Sequence, residues 1–306
     1  INPTVAMTPV ASQVVCDGAS TTAITFGTNY SGGSGTVSYA WTNSESSIGL
    51  ASSGVGNIPV FMTKNDGTSP ITATITVTPT LTNGGTSCPG TPTSFTITVN
   101  PTVTVDAISD ETLCVGASST PVVFASTGFT GGTITYNWTN SNPDIGLGAG
   151  GTNASGIPSF VATNTTMAPI SGTITVTPTF NNGGKDCIGT PEEYIITVNP
   201  TVTANNIPDR IECNGATVPS LAFGTNYTGT TGSVSYVWSN NNTTIGLGSG
   251  GTSTELPSFT ATNTGTAPVT ATITVTPTLF NEGEYCQGTA ETFTITVNPT
   301  VVATPL

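Results

Sequence analysis

The sequence contains no histidine and very few charged residues of either sign. Its 306 residues include 3 lysines and arginines and 16 aspartates and glutamates, so 6% of the chain is charged and the net charge is −13. Without histidine the chain lacks the commonest general base and every Ser–His or Cys–His nucleophile pair. Without clustered basic residues it has no means of neutralising nucleic-acid phosphates or an anionic membrane surface. We therefore expect no enzyme, no cofactor and no nucleic-acid partner.

Two further absences narrow the class of protein. No apolar run reaches the length of a membrane-spanning helix, so we expect no membrane insertion. No Cys-x-x-Cys pair occurs, and with histidine missing the usual zinc and haem ligands are missing too. Since charge is scarce, the surface must consist largely of Thr, Ser, Asn and Gly.

The chain consists of one segment of about 99 residues written three times. Each copy carries two cysteines, one tryptophan between them and a closing Val-Asn-Pro-Thr run. A tandem array of similar modules supplies length or many weak contacts rather than one active site. The cysteines are Cys16, Cys88, Cys114, Cys187, Cys213 and Cys286, and the tryptophans are Trp41, Trp138 and Trp238. The predicted domains are 1–100 (repeat 1), 101–199 (repeat 2), 200–298 (repeat 3) and 299–306 (the start of a fourth repeat).

The first and last residues of the chain both carry the sequence of a repeat joint. Residues 2–5 read Asn-Pro-Thr-Val, as do residues 100–103, 199–202 and 298–301. We therefore expect the sequence to be a window on a longer array, with neighbouring repeats of that longer chain as partners. The proline fixes φ and restricts the residue before it, so one module should run almost straight into the next. The predicted joint residues are Asn100, Pro101, Asn199, Pro200, Asn298 and Pro299.

Alternation of apolar residues with threonine predicts antiparallel strands that have one exposed face. The period of two is clearest at 72–78 and 95–99, and Asn-Gly-Gly at 83–85 supplies turn chemistry between them. About seven short strands in each repeat indicate an all-β chain of three tandem antiparallel immunoglobulin-like β-sandwiches, arranged as an elongated rod. Each tryptophan follows apolar residues at a period of two, so we expect it in the core rather than exposed for sugar stacking.

Two cysteines per repeat, separated by 72 or 73 residues, predict three disulfides, one inside each repeat. Buried free thiols are the alternative. A bridge inside the module would lock most of it against extension, leaving about 26 residues of each repeat to unfold under tension. The pattern thus favours a mechanical role in an oxidising, extracellular compartment.

One alternative for the joints is a weak calcium site, which needs several clustered oxygen ligands. Acidic residues fall near both joints but change position from copy to copy, which is typical of solvated surface charge. They are Asp17, Asp106, Asp110, Glu111, Asp209 and Glu212.

Several runs resemble a known family. Tyr-x-Trp-[Thr/Ser]-Asn occurs at 39–43, 136–140 and 236–240, and Ile-Gly-Leu follows at 48–50, 145–147 and 245–247. Pro-x-Phe-x-Ala-x-Asn occurs at 158–164 and again at 257–263, and Thr-Val-Asn-Pro-Thr closes each repeat. Together they resemble the PKD-like repeats of giant surface proteins of Bacteroidota, including gliding-motility adhesins. The Gly-Asp turn of ordinary PKD domains is absent. The resemblance implies export by the type IX system, a bacterial cell-surface location and a role in adhesion or filament formation.

The sequence therefore predicts a structural stalk or filament segment of a secreted surface adhesin. Two rivals stay open: repeats that bind glycans or another protein many times over, and a homopolymer assembled through strand edges. Matched exposed aromatic residues would favour the first rival, and the candidates are Tyr30, Phe129 and Tyr227.

Overall fold

A computed structural model describes residues 2–302. Residues 303–306 of the predicted fourth repeat lie outside that range, as does Ile1.

Nearly all regular structure is β-strand. Repeat 1 contains β1 (Gln13–Cys16), β2 (Thr36–Asn43), β3 (Ser53–Val55), β4 (Ile71–Asn83), β5 (Thr86–Pro89) and β6 (Thr93–Asn100). Repeat 2 contains β7 (Glu111–Cys114), β8 (Val122–Val123), β9 (Thr133–Asn140), β10 (Gly150–Gly151), β11 (Gly156–Ile157), β12 (Ile170–Asn182), β13 (Lys185–Ile188) and β14 (Glu192–Asn199). Repeat 3 contains β15 (Arg210–Cys213), β16 (Thr217–Val218), β17 (Leu221–Ala222), β18 (Ser233–Asn240), β19 (Gly250–Thr252), β20 (Glu255–Leu256), β21 (Phe259–Thr260), β22 (Val269–Asn281), β23 (Glu284–Gln287) and β24 (Glu291–Asn298).

One six-stranded sheet forms the main layer of each repeat. In repeat 1 its order is β1-β6-β4-β2-β3, and β5 pairs with the far end of β4. Repeats 2 and 3 have the same order, β7-β14-β12-β9-β10 and β15-β24-β22-β18-β19. All pairs are antiparallel except that of the first strand with the last, β1 with β6, which is parallel and places Cys16 opposite Asn100. The first strand thus runs towards the end at which the chain leaves the repeat.

A second, smaller layer faces this sheet. It consists of short antiparallel pairs such as β8 with β11 in repeat 2 and β17 with β20 in repeat 3. In repeat 1 the same layer is reduced to single bridges, including Ile24 to Ile58. Two layers of mostly antiparallel strands around one apolar core confirm the predicted fold class of tandem immunoglobulin-like β-sandwiches. In each repeat a single-turn 3₁₀ helix follows the strand that carries the tryptophan (β2, β9 or β18). These helices are Ser46–Ile48, Pro143–Ile145 and Thr243–Ile245.

The tryptophan of each repeat lies in the core between the two layers. Trp41, Trp138 and Trp238 are at most 8% exposed. Each pairs with a glycine on the edge strand, and a Cβ on Gly54 would lie 2.2 Å from the ring of Trp41. The indole therefore occupies the space above a residue that has no side chain. This explains why a glycine stands opposite the tryptophan in every copy.

Hydroxyl groups replace charge on the exposed face of the main sheet. Thr72 on β4 and Thr98 on β6 are paired across the strands at 2.9 Å, as are Thr270 and Thr296 in repeat 3. Such cross-strand pairs stabilise a sheet without ionic partners. Within residues 2–302 there is one ion pair, the exposed contact of Lys64 with Asp66.

Buried asparagines fasten the loops to the sheet. Asn164 donates hydrogen bonds to the carbonyl oxygens of Ala168 and Val198, and its own Oδ1 accepts one from the main-chain nitrogen of Thr166. Asn65 and Asn263 make the same contacts in repeats 1 and 3. One side chain therefore satisfies several main-chain groups that would otherwise be buried without partners.

We expect Asn164→Ala to lower the free energy of unfolding by about 1–3 kcal/mol, because the buried carbonyl oxygen of Val198 and the partly buried one of Ala168 lose a donor. Chemical denaturation, followed by tryptophan fluorescence, measures the change. Asn206→Ala is the matched control, since this exposed amide makes only a 3.4 Å contact with Glu291. Equal destabilisation by the two variants would contradict the assigned role.

Tyr194 differs from its counterparts, Phe95 and Phe293, by a hydroxyl that is buried without a hydrogen-bond partner in the described part of the chain. We expect Tyr194→Phe to stabilise the protein by about 1 kcal/mol, since the variant removes an unsatisfied polar group.

The same hydroxyl predicts a pH dependence. Burial, with a smaller effect of Glu111, raises the pKa of Tyr194 from 10.0 to about 12. The folded state therefore holds this proton more tightly than the unfolded state does, so the ionisation of Tyr194 leaves the free energy of unfolding unchanged below pH 10 and lowers it as the pH rises towards about 12. Tyr194→Phe should lose less stability over that range, whereas Tyr285→Phe, at an exposed tyrosine, should follow the parent protein.

Candidate functional site at the joints between repeats

The Asn-Pro-Thr-Val run belongs to two repeats at once. Asn100 is the last residue of β6 in repeat 1 and is completely buried, and Val103 is completely buried in repeat 2. The main-chain nitrogen of Thr190 donates to the carbonyl oxygen of Val103 at 2.9 Å. A Cβ on Gly189 would lie 2.0 Å from that oxygen, so only glycine permits this approach. No linker separates the repeats.

An asparagine pair closes each joint. The side chain of Asn100 donates to the carbonyl oxygen of Asn182, whose own side chain donates back to Oδ1 of Asn100 at 2.9 Å. At the next joint Asn281 donates to Oδ1 of Asn199 at 2.9 Å. Asn182 and Asn281 lie at the hairpin turn of the following repeat, so the pair fastens that turn to the strand that precedes the joint.

The disulfides connect neighbouring repeats. Cys16 of repeat 1 is bonded to Cys187 of repeat 2, and Cys114 of repeat 2 is bonded to Cys286 of repeat 3, with Cα–Cα distances of 5.5 Å. Cys88 and Cys213 are free. The prediction of one disulfide inside each repeat is therefore wrong. The first cysteine of one repeat pairs with the second cysteine of the next.

The direction of the first strand explains this pairing. Because β1 runs parallel to β6, Cys16 lies beside Asn100, where the chain leaves repeat 1. Cys88 lies in the hairpin at the opposite end, where the amide of Asn2 approaches its sulfur at 3.7 Å. Some twelve residues of extended chain, about 40 Å, separate Cys88 from Asn100. A disulfide spans less than about 7 Å between Cα atoms, so a bond within one repeat is excluded.

The disulfide pairing determines which part of the chain can extend under tension. The bonds enclose residues 16–187 and 114–286 in two overlapping loops, and they do not lock the 72 residues between Cys114 and Cys187. The covalent path between the ends therefore passes through that segment, which a bond inside repeat 2 would have bypassed.

Loop contacts complete each joint. The main-chain nitrogen of Thr130 donates to the carbonyl oxygen of Thr68 at 3.0 Å, and a Cβ on Gly131 would lie 2.8 Å from Pro70. The second joint repeats both contacts with Thr228 and Met167, and with Gly229 and Pro169. Each joint thus has the same four elements: a disulfide, an asparagine pair, a main-chain hydrogen bond and a proline against a glycine.

Small apolar clusters lie under the disulfides. Phe129 packs with Val103, Phe180 and Cys187 at the first joint, and Tyr227 packs with Val202, Leu279 and Cys286 at the second. Tyr30 occupies the matching place in repeat 1, where it is half-buried and its hydroxyl donates to the carbonyl oxygen of Ser34. Phe129 and Tyr227 are therefore packing groups of the joints rather than exposed rings.

The acidic residues near the joints bind main-chain and hydroxyl groups of the protein. Hydrogen bonds from the hydroxyl and nitrogen of Thr127 hold the pKa of Asp106 below its usual value. The nitrogen and hydroxyl of Thr294 do the same for the pKa of Asp209. Asp17 accepts a hydrogen bond across the joint from Thr102. Asp110 accepts one from the nitrogen of Ile195, and the carboxylate of Glu111 binds Thr120. In residues 2–302 no three such side chains are placed to hold a metal ion. We assign no role to Glu212 at the second joint.

Comparisons with other proteins give structural likenesses but no family. No protein-family model and no curated protein matches the chain. Among solved structures, mouse cadherin-23 EC22-24 is 13% identical, with 98% of this chain and 100% of that one covered and a TM-score of 0.41. Drosophila N-cadherin EC1-4 (13%, 95% and 73%, TM-score 0.37) and mouse protocadherin-24 EC1-3 (12%, 96% and 98%, TM-score 0.35) are similar to a comparable extent. The fold assignment rests on the strand pairing described above.

No helix in the described residues is long and apolar enough to cross a membrane.

Cleavage at a joint distinguishes the two pairings. We expect a protein with a protease site inserted after Ala107, in an exposed stretch without strands, to stay in one piece after cutting until it is reduced. The Cys16–Cys187 bond holds the pieces together. Pairing within repeats would release residues 1–107 without reductant. The control is Cys16→Ser, which should release that fragment on a non-reducing gel.

Proposed function

We propose that this chain is a tension-bearing stalk segment of a secreted bacterial surface adhesin of the kind found in Bacteroidota. The observation that carries the proposal is the disulfide across each joint, Cys16–Cys187 and Cys114–Cys286. A bond inside a module stabilises that module alone, whereas a bond across a joint restrains one module relative to the next. Such a bond serves a chain whose modules must stay aligned.

The rest of the joint supports stiffness. Pro101 and Pro200 are buried, and the asparagine before each of them is completely buried and paired with the next repeat. Bending at the joint would break the asparagine pair and separate the proline from its glycine. Because the main chain and the disulfide cross each joint at separate points, rotation about either one alone is restrained.

The chemistry of the surface supports an extracellular location. Disulfides persist in oxidising compartments and are rare in the cytosol. A surface covered by threonine hydroxyls and almost free of charge suits a protein that must not attach to nucleic acid or anionic lipid. The resemblance to gliding-motility adhesins agrees with this location, and attachment to a glycan or another surface would then be the task of other parts of such a protein.

The two rival functions have less support. Glycan binding by every repeat would need matched exposed rings, but Phe129 and Tyr227 pack at the joints. Lateral assembly would need apolar edge strands in every copy. Val55 on β3 is exposed at such an edge, yet Thr152 and Thr252 stand at the corresponding positions.

Single-molecule stretching tests the proposal. With both disulfides intact, the shortest covalent path runs through residues 1–16, 114–187 and 286–306, about 110 residue steps or roughly 370 Å when fully extended. After reduction the whole chain can extend to roughly 1,050 Å. The Cys16→Ser, Cys114→Ser double variant should show the long extension without reductant. An extension that does not change on reduction would exclude the mechanical role.

A further inference from the structure

One cross-strand position on the hairpin of each repeat differs in chemistry between the three copies. In repeats 1 and 2 the two side chains at this position are hydrogen-bonded to each other. The pairs are Thr82 with Ser87 and Asn181 with Asp186. In repeat 3 the same position holds Phe280 and Tyr285. Repeat 3 thus has two aromatic rings where the other copies have two polar groups that satisfy each other.

Phe280 and Tyr285 form one exposed aromatic platform. The ring centroids are 4.6 Å apart and the ring planes are inclined by 37°. Both rings lie on the exposed face of the main sheet, because Leu279 and Cys286, their neighbours in the chain, are buried in the apolar cluster of the second joint. Within the described residues neither ring belongs to that cluster or to the core of repeat 3. Packing therefore does not account for the pair.

Uncharged polar groups surround the platform. On one side Ser233 pairs with Phe280, and Ser235 pairs with Thr278. On the other side Gln287 pairs with Thr278. The hydroxyl groups and the amide can each donate and accept hydrogen bonds. The platform thus has an apolar centre and a hydrogen-bonding border.

The charge around the platform favours a neutral ligand. The chain has 3 basic residues, and none lies on β18, β22 or β23. Glu282 and Glu284, at the tip of the hairpin, line the cleft towards Thr112 of repeat 2. An anionic ligand would find no basic partner, and the net charge of −13 would repel it. A cation held over the rings would lack a carboxylate on the platform itself.

The apolar area is too small for a stable protein contact. Side chains of about 200 Å² each, of which Phe280 is 38% exposed and Tyr285 is 71% exposed, present roughly 200 Å² of surface. A stable protein interface buries about 800 Å² of each partner. The area of the platform suits the apolar C–H face of a sugar ring, whose hydroxyl groups would then reach the polar border.

We propose that Phe280 and Tyr285 are a binding platform for a neutral glycan. The two rings stack on the C–H face of a sugar, and the side chains of Ser233, Ser235 and Gln287 form hydrogen bonds with its hydroxyl groups. The site belongs to repeat 3 alone, since the matching positions of repeats 1 and 2 have no rings. It adds a lateral attachment point to the array, beyond whatever other parts of such a protein bind.

Electrophoresis in native gels that contain a polysaccharide tests the site, because a chain with a net charge of −13 migrates readily and is slowed when it binds the polymer. The neutral probes are hydroxyethyl cellulose, dextran and galactomannan, and alginate is the anionic probe. We expect at least one neutral polymer to slow the protein and alginate to have no effect. Tyr285→Ala should weaken the binding by about tenfold, since aromatic anchors carry much of the energy of a small contact. Failure of all three neutral polymers to slow the protein would overturn the proposal.

Three further variants separate the platform from the rest of the exposed face. Val237→Ala is the matched control, because this exposed apolar side chain lies on the same face but pairs with Thr276, away from the rings. It should bind as the parent does, and Tyr285→Phe, which keeps the ring, should retain most of the affinity. Equal weakening by Val237→Ala and Tyr285→Ala would contradict the assignment.

A transplant provides the converse test. Thr82→Phe combined with Ser87→Tyr places both rings at the matching position of repeat 1, so this variant should be slowed more than the parent at the same polymer concentration.

Two other occupants of the platform would give different results. A second copy of the chain would appear in sedimentation as a dimer that Tyr285→Ala abolishes. A basic peptide, tested as oligolysine, would bind the parent where neutral polymers do not. Either result, without slowing by a neutral polymer, overturns the glycan assignment. The proposal does not rest on the stalk function, because stretching reports on the disulfides across the joints and the gels report on the platform.

Discussion

The parallel pairing of the first and last strands of each repeat is the constraint on which the joint depends. It brings Cys16 to the end of β6, next to the asparagine where the chain passes into the following repeat. The hairpin of β12 and β13 brings Cys187 to the amino-terminal end of repeat 2. If β1 ran in the opposite direction, Cys16 would lie at the other end of the module and no bond could cross the joint. One choice of strand direction therefore decides whether the disulfides stabilise modules or connect them.

The short Asn-Pro-Thr-Val joint depends on the same geometry. Asn100 ends β6 and pairs with the turn residue Asn182, while three residues later Val103 already lies in the core of repeat 2. With so little chain between the two cores, the repeats must touch, and the loops around Thr68 and Thr130 complete the contact. On the chain-entropy view each bond, which closes a loop of about 170 residues, stabilises the folded array by about 5 kcal/mol, although overlapping loops do not add fully.

The fold could be predicted from the sequence because its signals are local. Alternating threonine and apolar residues, Asn-Gly-Gly turns and one tryptophan per copy each report on a few neighbouring residues, and the all-β sandwich follows from them. The disulfide pairing could not be deduced in this way, because pairing within a repeat and pairing between neighbours give the same 99-residue periodicity. The signal that would have helped is the length of extended chain between Cys88 and Asn100. The burial of Asn65, Asn164 and Asn263 could not be deduced from local signals either, because each side-chain amide donates to a carbonyl oxygen far along the chain.

The overlapping bonds also make the integrity of the chain independent of any one peptide bond between Cys16 and Cys286. A break before Cys114 leaves the pieces joined by Cys16–Cys187, and a break after Cys187 leaves them joined by Cys114–Cys286. A break between Cys114 and Cys187 leaves both bonds in place. Pairing within repeats would give no such protection at the joints, where each chain segment would be the sole connection. Protection at the joints matters most for a chain that transmits force, which is the function proposed above, since every module depends on the joints.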